Sequence, residues 1–183
     1  MPARKAPRQI DTARLTLVSP SPGDAEDIFH RYASDPEVTR LLGWPRHRSI
    51  ADTQAFLTFS GEEWERWPAG PYLIRSRADG HLLGSTGLGF ETPEHAMTGY
   101  VLAKDAWGRG YATEALAAMV ALARSIGVGH LYALCHPENR ASAHVLEKCG
   151  FVRDASSEQQ TEFPNVLSGR LQDVHRYVLA QDR

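Results

Sequence analysis

The chain has 183 residues, 42% hydrophobic and 23% charged, with a formal net charge of −2. That size suits one domain around one sizeable core, and a pI near 6.4 lends no support to a broad nucleic-acid or membrane surface. No apolar run approaches the roughly 18 residues that span a bilayer. The two cysteines, Cys135 and Cys149, have no metal-ligand spacing and read as free thiols in a reducing cytoplasm.

Residues 1–9 are basic, hold two prolines and read as a mobile tail; residues 10–181 read as a single domain. The run RLTLVS at 14–19 alternates like a strand. Ser21 is then a good N-cap, Pro22 fits the first helical position and Asp24 follows three residues after the cap, so a helix to about 34 is expected. Ser49 and Asp52 repeat the signal and open a second helix to about 67. Residues 70–77 and 82–90 flank A-D-G as a hairpin, and 97–103 is a third strand of the group. Apolar residues at 112, 115, 116, 119, 120 and 123 lie on one face of a helix over about 110–126, ended by Gly127 and Gly129. A short strand at 130–135, a helix over 139–149 stopped by Gly150, and strands near 151–160 and 171–180 complete the chain. The order β-α-α-β-β-β-α-β-α-β-β predicts an α/β fold with a mixed sheet and a right-handed crossover around 97–135.

The stretch W-G-R-G-Y-A-T-E-A at 107–115 places two glycines directly before the long helix. The first amides of a helix have no internal partner and the dipole favours negative charge there, so a glycine turn at that end can cradle a phosphate. Arg109 could add a charge-assisted contact. The bland alternative is a glycine turn that only starts a helix. G-x-x-x-x-G-K-[ST] is absent, which removes the main support for NTP hydrolysis. In the register of G-x-G-x-x-G, Thr113 stands where a small residue is needed and His130 where an acidic ribose ligand would be, so dinucleotide redox chemistry is not expected.

W-G-R-G-Y-A resembles the pyrophosphate loop [QR]-x-x-G-x-[GA] of the GNAT superfamily of acyltransferases, with Trp107, Gly110 and Ala112 at the defining positions. Trp107 in place of Gln or Arg resembles the RimJ/RimL-type branch. Gly99-Tyr100-Val101-Leu102 resembles the strand before the loop. Asn139-Arg140-Ala141-Ser142, with Glu147-Lys148-Cys149-Gly150-Phe151, resembles the downstream N-x-x-S…E-K-x-G-F segment. The resemblance covers roughly 10–180, and the two motifs at their separation of about 30 residues are far more specific together than either alone.

The resemblance implies a GNAT-like acyl-CoA N-acyltransferase fold, a mixed sheet splayed between its fourth and fifth strands. It implies acetyl-CoA as donor and direct attack by a primary amine in a ternary complex, with no metal. The backbone of Leu102 and Ala103 would pair with the pantetheine, the amides of Gly108, Arg109, Gly110, Tyr111, Ala112 and Thr113 behind Trp107 would hold the pyrophosphate, and Asn139 would touch the pantetheine arm. Relatives often carry a tyrosine where Leu146 stands; the RimJ/RimL-type pattern offers Ser142 as the acid hydroxyl instead, the other reading being that it only caps or packs the helix start. The branch often carries Glu where Thr98 stands, so Glu91 and His95 are the substitutes for the base; His136, beside the gap, reads rather as a packed histidine.

The acceptor would sit between the connection 42–49, with Trp44 and His47, and the connection 161–170, with Phe163 and Asn165. Two arginines and a histidine beside a tryptophan could hold an anionic acceptor, the other reading being a basic surface loop with Trp44 plugging the core. The expected acceptor is a small-molecule amine, the alternative a protein N-terminus as in RimJ/RimL-type enzymes, and the second alternative a non-catalytic acyl-CoA-binding regulatory domain. Family members are often dimers, so a homodimer is among the implied assemblies.

Overall fold

The computed structural model describes residues 5–180. Nine strands, β1 (Gln9–Asp11), β2 (Leu15–Val18), β3 (Pro71–Ser76), β4 (Leu82–Thr92), β5 (His95–Leu102), β6 (His130–Cys135), β7 (Phe151–Arg153), β8 (Gln159–Glu162) and β9 (Leu171–Leu179), form one sheet. Its order is β1-β2-β3-β4-β5-β6-β9-β7, with β8 pairing β9 off this path. All pairings are antiparallel except β5 with β6. Among the described residues five α-helices, α1 (Ala25–Ile28), α2 (Pro36–Thr39), α3 (Ile50–Arg66), α4 (Tyr111–Ile126) and α5 (Arg140–Lys148), cover its two faces.

Strand alternation explains the layers. Tyr72 and Ile74 of β3, Leu88 of β4, Ala96 and Leu102 of β5 and Leu131 and Ala133 of β6 share a buried cluster with Leu116, Met119, Val120 and Ala123 of α4. Residues of opposite parity, Leu73 and Val101, pack with Ile28, Tyr32, Val38 and Leu57 on the side of α1, α2 and α3. The 3.6-residue stripe read on 112–123 is thus the core stripe of α4.

Three expectations are corrected. The tail expected over 1–9 does not extend over its described part: Ala6 is buried, its N–H donates to Pro68 O at 2.8 Å, and Lys5 Nζ bonds the carbonyls of Trp64, Glu65 and Trp67. Residues 1–4 of that expectation lie outside the described residues. The single helix expected to 34 is instead a 3-10 turn (Pro22–Asp24), α1 and a π turn (Phe29–Ala33), followed by α2, whose N-cap Asp35 accepts from the N–H groups of Glu37 and Val38. The segment stops at Ser34, where the expected helix ends, because the ring of Pro36 disfavours helical geometry at Asp35. The strand expected near 151–160 is two, β7 and β8, separated by a turn in which Asp154 Oδ1 accepts from Ser156 N and Oγ. Among the described residues no helix is long and apolar enough to cross a membrane.

Candidate active site

β5 and β6 run side by side for only three residue pairs, His95↔His130, Ala96↔Leu131 and Met97↔Tyr132. Beyond these β6 pairs with β9 alone, while β5 continues to Leu102 on β4. The two parallel strands therefore open into a wedge alongside residues 98–102, about 17 Å long at ~3.3 Å per residue. Ala103 N–H donates to Leu83 O on the β4 side at 2.8 Å. Backbone groups alternate along a strand, so those of Thr98, Tyr100 and Leu102 point into the wedge. This corrects the expected pair: Ala103 is unavailable, its N–H committed to Leu83 and its carbonyl accepting from Ala106. Leu102 keeps its N–H for the wedge, but its carbonyl accepts from the indole Nε1 of Trp107 at 2.9 Å.

The glycine turn lies just past this mouth. Gly108 (φ 70°) and Gly110 (φ 78°) take left-handed geometry that L side chains rarely adopt. A Cβ on Gly108 would meet nothing within 4 Å, so the turn faces open space. Gly110 is the N-cap of α4, and no side chain caps that end. Its first-turn amides, at Tyr111, Ala112 and Thr113, are left to an external acceptor. Arg109 makes no ion pair among the described residues; its guanidinium lies 5.6 Å from the Tyr111 ring.

Two arginines that the sequence reading did not single out brace this loop. Arg14, at the start of β2, donates from Nη1 to Arg109 O (2.9 Å) and pairs through Nε with Glu114 Oε2 (2.7 Å). Glu114 Oε1 also accepts from Arg14 N and Thr12 Oγ1, and Arg14 lies 4.6 Å over the Tyr111 ring. Glu114 titrates below the usual carboxylate range: burial raises it, but the bonds from Thr12 and Arg14 together outweigh burial. Arg31 forks onto both oxygens of Asp105 at 3.0 and 2.9 Å, fixing the turn between β5 and the glycines. Only the T-E-A of the loop hinted at this brace, since its partners lie about a hundred residues upstream.

At the far wall of the wedge, Asn139 caps α5, its Oδ1 accepting from Ser142 N at 3.1 Å, while its Nδ2 has no partner among the described residues. Ser142 Oγ lies 2.9 Å from the Tyr100 hydroxyl, which is also 3.0 Å from Ser142 O. Burial pushes the Tyr100 phenol well above its usual range. Cys135, at the end of β6, is buried with Sγ 3.5 Å from the carbonyls of His136 and Asn139, and burial raises its thiol. Leu146 is buried core.

His95 is not brought to the wedge. His95 begins β5 at the closed end, its ring 4.4 Å from that of His130, and Glu91 accepts a bond from the Tyr132 hydroxyl. Three strand residues, about 10 Å, separate His95 from Thr98. A reach of that length is too great for direct proton transfer to a group in the wedge, which corrects the expectation of His95 as base; Glu91, bonded to Tyr132 whose strand partner is Met97, stays a candidate. Thr98 donates its hydroxyl to Gly87 O at 2.9 Å. His136 is buried against Phe163, ring centroids 4.6 Å apart, and its Nδ1 accepts from Glu138 N at 3.1 Å, leaving Nε2 as the protonated nitrogen of the neutral ring.

The acceptor-side residues do converge, in part for other reasons than expected. The rings of Trp44 and His47 pack tilted by 49° with centroids 5.3 Å apart, and His47 Nδ1 bonds Thr53 Oγ1 at 2.8 Å; burial lowers its pKa. Phe163 is buried. Asn165 is not a free polar contact: its Nδ2 donates to Thr39 O (2.8 Å) and Trp44 O (2.9 Å), and its Oδ1 accepts from Arg46 N (2.8 Å). It straps the connection 39–46 to the connection 163–167. On the sheet face between these walls, Gly87, Gly89, Gly99 and the exposed Met97 share one side, and a Cβ on Gly89 or Gly99 would meet nothing within 4 Å. Among the described residues no group of three or more His, Cys, Asp or Glu is placed to hold a metal.

Comparison with known proteins agrees with this geometry. Residues 14–152 match the acetyltransferase (GNAT) domain family. The uncharacterized N-acetyltransferase p20 of Bacillus licheniformis is 26% identical over 171 residues, 92% of this chain and 93% of the relative. Among solved structures, the microcin C7 self-immunity acetyltransferase MccE, in complex with acetyl-CoA and AMP, superimposes with a TM-score of 0.81 at 21% identity, covering 94% of this chain and 96% of its own. RimL, the ribosomal L7/L12 alpha-N-protein acetyltransferase in complex with coenzyme A, gives 0.80 at 22% identity, covering 93% and 96%. The splayed mixed sheet, the glycine turn and the family match lead to one assignment: the chain belongs to the GNAT acetyltransferase family.

Proposed function

We propose that this acetyltransferase moves an acetyl group from acetyl-CoA to a primary amine of a small molecule, donor and acceptor being bound together. The observation that carries the donor is the wedge opening directly onto an uncapped helix start. Acetyl-CoA supplies an activated acyl group as a thioester. Tyr100 and Leu102 offer wedge-facing backbone groups to its amides, as an added strand would take them. The amides at 108–113, with Arg109, suit its pyrophosphate. Asn139 Nδ2 remains to donate to the arm.

The Asn165 strap supports a small acceptor, because it bridges the two walls and leaves an arch rather than a trough open along its length. Arg46, His47 and Arg48 flank that arch and suit an acceptor with an anionic group. The stretch 98–102 holds no carboxylate or imidazole, and the acceptor attacks as its neutral amine. A second reading, acetylation of a protein N-terminus, draws support from the likeness to RimL.

The test is thiol release from acetyl-CoA with a panel of putrescine, tyramine, glycine, serine and an N-terminal hexapeptide. Turnover with small amines, rising with pH toward the amine's own pKa, supports the proposal. Turnover with the hexapeptide alone favours the second reading. Tight acetyl-CoA binding without thiol release from any member would make the chain an acyl-CoA-binding domain.

A further inference from the structure

Ser142 is placed to return a proton to the departing thiolate, yet a serine one turn into a helix ordinarily folds its hydroxyl back onto a carbonyl of the preceding turn. Here it does not. Its Oγ lies 2.9 Å from the hydroxyl of Tyr100, 42 residues away on β5, with the Cys135 thiol as a second side-chain neighbour. The pair joins the strand that forms one wall of the wedge to the helix that forms the other. Tyr100 lies on the core side of β5, with Ala96 and Leu102, so its ring is fixed by packing and only its hydroxyl reaches the wedge.

We infer that Tyr100 is a positioning residue that turns the Ser142 hydroxyl into the wedge and steadies the oxygen as its proton leaves. This rests on the acetyl-transfer reading above. A phenol has one proton and two neighbours here, Ser142 O and Ser142 Oγ. If it goes to the carbonyl, the serine proton is drawn back to the phenol oxygen and away from the wedge. If it goes to Oγ, the serine proton is released toward the wedge. Negative charge on a sulfur in the wedge selects the second arrangement. The Ser142 O–H bond then breaks as an S–H bond forms, and Ser142 recovers its proton from the acylated nitrogen, which must lose one to become an amide. Tyr100 itself stays protonated throughout, in keeping with a phenol whose burial raises its pKa.

The experiment compares the full chain with Ser142→Ala, Tyr100→Phe and the double variant, using acetyl-CoA and whichever amine of the panel turns over fastest. Ser142→Ala should lower kcat about 100-fold and Tyr100→Phe about 10-fold, the range of a lost proton carrier and of its lost alignment. KM for acetyl-CoA should stay within about 3-fold. The double variant should be no slower than Ser142→Ala, because both changes disable one hydroxyl. Ser142→Thr, which keeps an oxygen within Tyr100's reach, should retain most of the rate and serves if Tyr100→Phe fails to fold. Losses that multiply in the double variant, an unchanged kcat in Tyr100→Phe, or a Thr variant as slow as the Ala variant overturns the inference while leaving acetyl transfer standing. A wild-type chain that turns over no amine of the panel sinks the acetyl-transfer reading and this inference with it.

Discussion

Asn165→Ala tests whether the acceptor arch is built by the strap between connections 39–46 and 163–167. The change removes three hydrogen bonds of 2.8–2.9 Å, to Thr39 O, Trp44 O and Arg46 N, all part-buried. Each is worth about 1 kcal/mol net; the carbonyl of the buried Thr39 still accepts from Leu42 N, and water reaches the half-buried Trp44 and Arg46, so the loss should be ~2 kcal/mol rather than the full desolvation penalty of three buried groups. For a chain of 150–250 residues that is a fall in Tm of about 4–8 °C. The strap touches neither the glycine turn nor α5, so acetyl-CoA affinity, read by calorimetry, should change less than 2-fold on the order of a remote substitution. KM for a small amine should rise ~10-fold as the walls part, with kcat at saturation falling less. A Tm shift below about 2 °C, or acetyl-CoA affinity falling in step with the amine KM, would refute the separation of donor and acceptor walls.

Other expectations follow from the donor loop and from two half-buried imidazoles. Gly110→Asp forces φ 78° on an L residue and sets a carboxylate before the pyrophosphate; Arg14 Nη2, 3.4 Å from the new Cβ, offsets part of the charge. A net ~2 kcal/mol, about 30-fold in acetyl-CoA Kd, remains; Gly110→Ala should lose stability but little affinity, and equal losses in both variants would disprove the electrostatic account. Trp107→Phe frees Leu102 O and should weaken acetyl-CoA binding about 3–10-fold for ~1 kcal/mol, checked by the same calorimetry, with Tm within a few degrees. Burial lowers the pKa of His47 and of His175 in the folded chain. The unfolded chain therefore takes up protons first as pH falls through the ordinary histidine range. Stability present above that range is lost below it, Tm should fall between about pH 7 and 5, and His47→Gln should flatten part of that slope.

The fold was legible because its signals are local and repeated. Ser49 with Asp52 and the stripe at 112–123 needed only a window of a few residues, and both helices begin within a residue of their expected starts. The failures share a cause. The turn at Asp154–Ser157 is decided by side-chain bonds inside an otherwise continuous pattern. The packing of Lys5–Arg8 depends on carbonyls some sixty residues away, which composition cannot register.

The same distinction divides the site. A donor held by backbone amides asks little of side-chain identity except room and positive φ, and glycines at fixed spacing before a helix advertise both; that half could be read from 107–113 alone. The acceptor half is built by side chains that could equally serve structure, and sequence position cannot say which use wins. Asn165 illustrates this: a polar residue in a long connection reads as a ligand, yet its bonds are spent on Thr39, Trp44 and Arg46, more than a hundred residues away. Tyr100 illustrates the converse. As one letter of a strand it reads as packing, and it becomes a candidate for the chemistry only because the wedge brings its hydroxyl to Ser142. Side chains whose partners lie across the sheet acquire their roles from topology, so the residues that govern the acceptor and the proton are the ones a linear reading assigns least well.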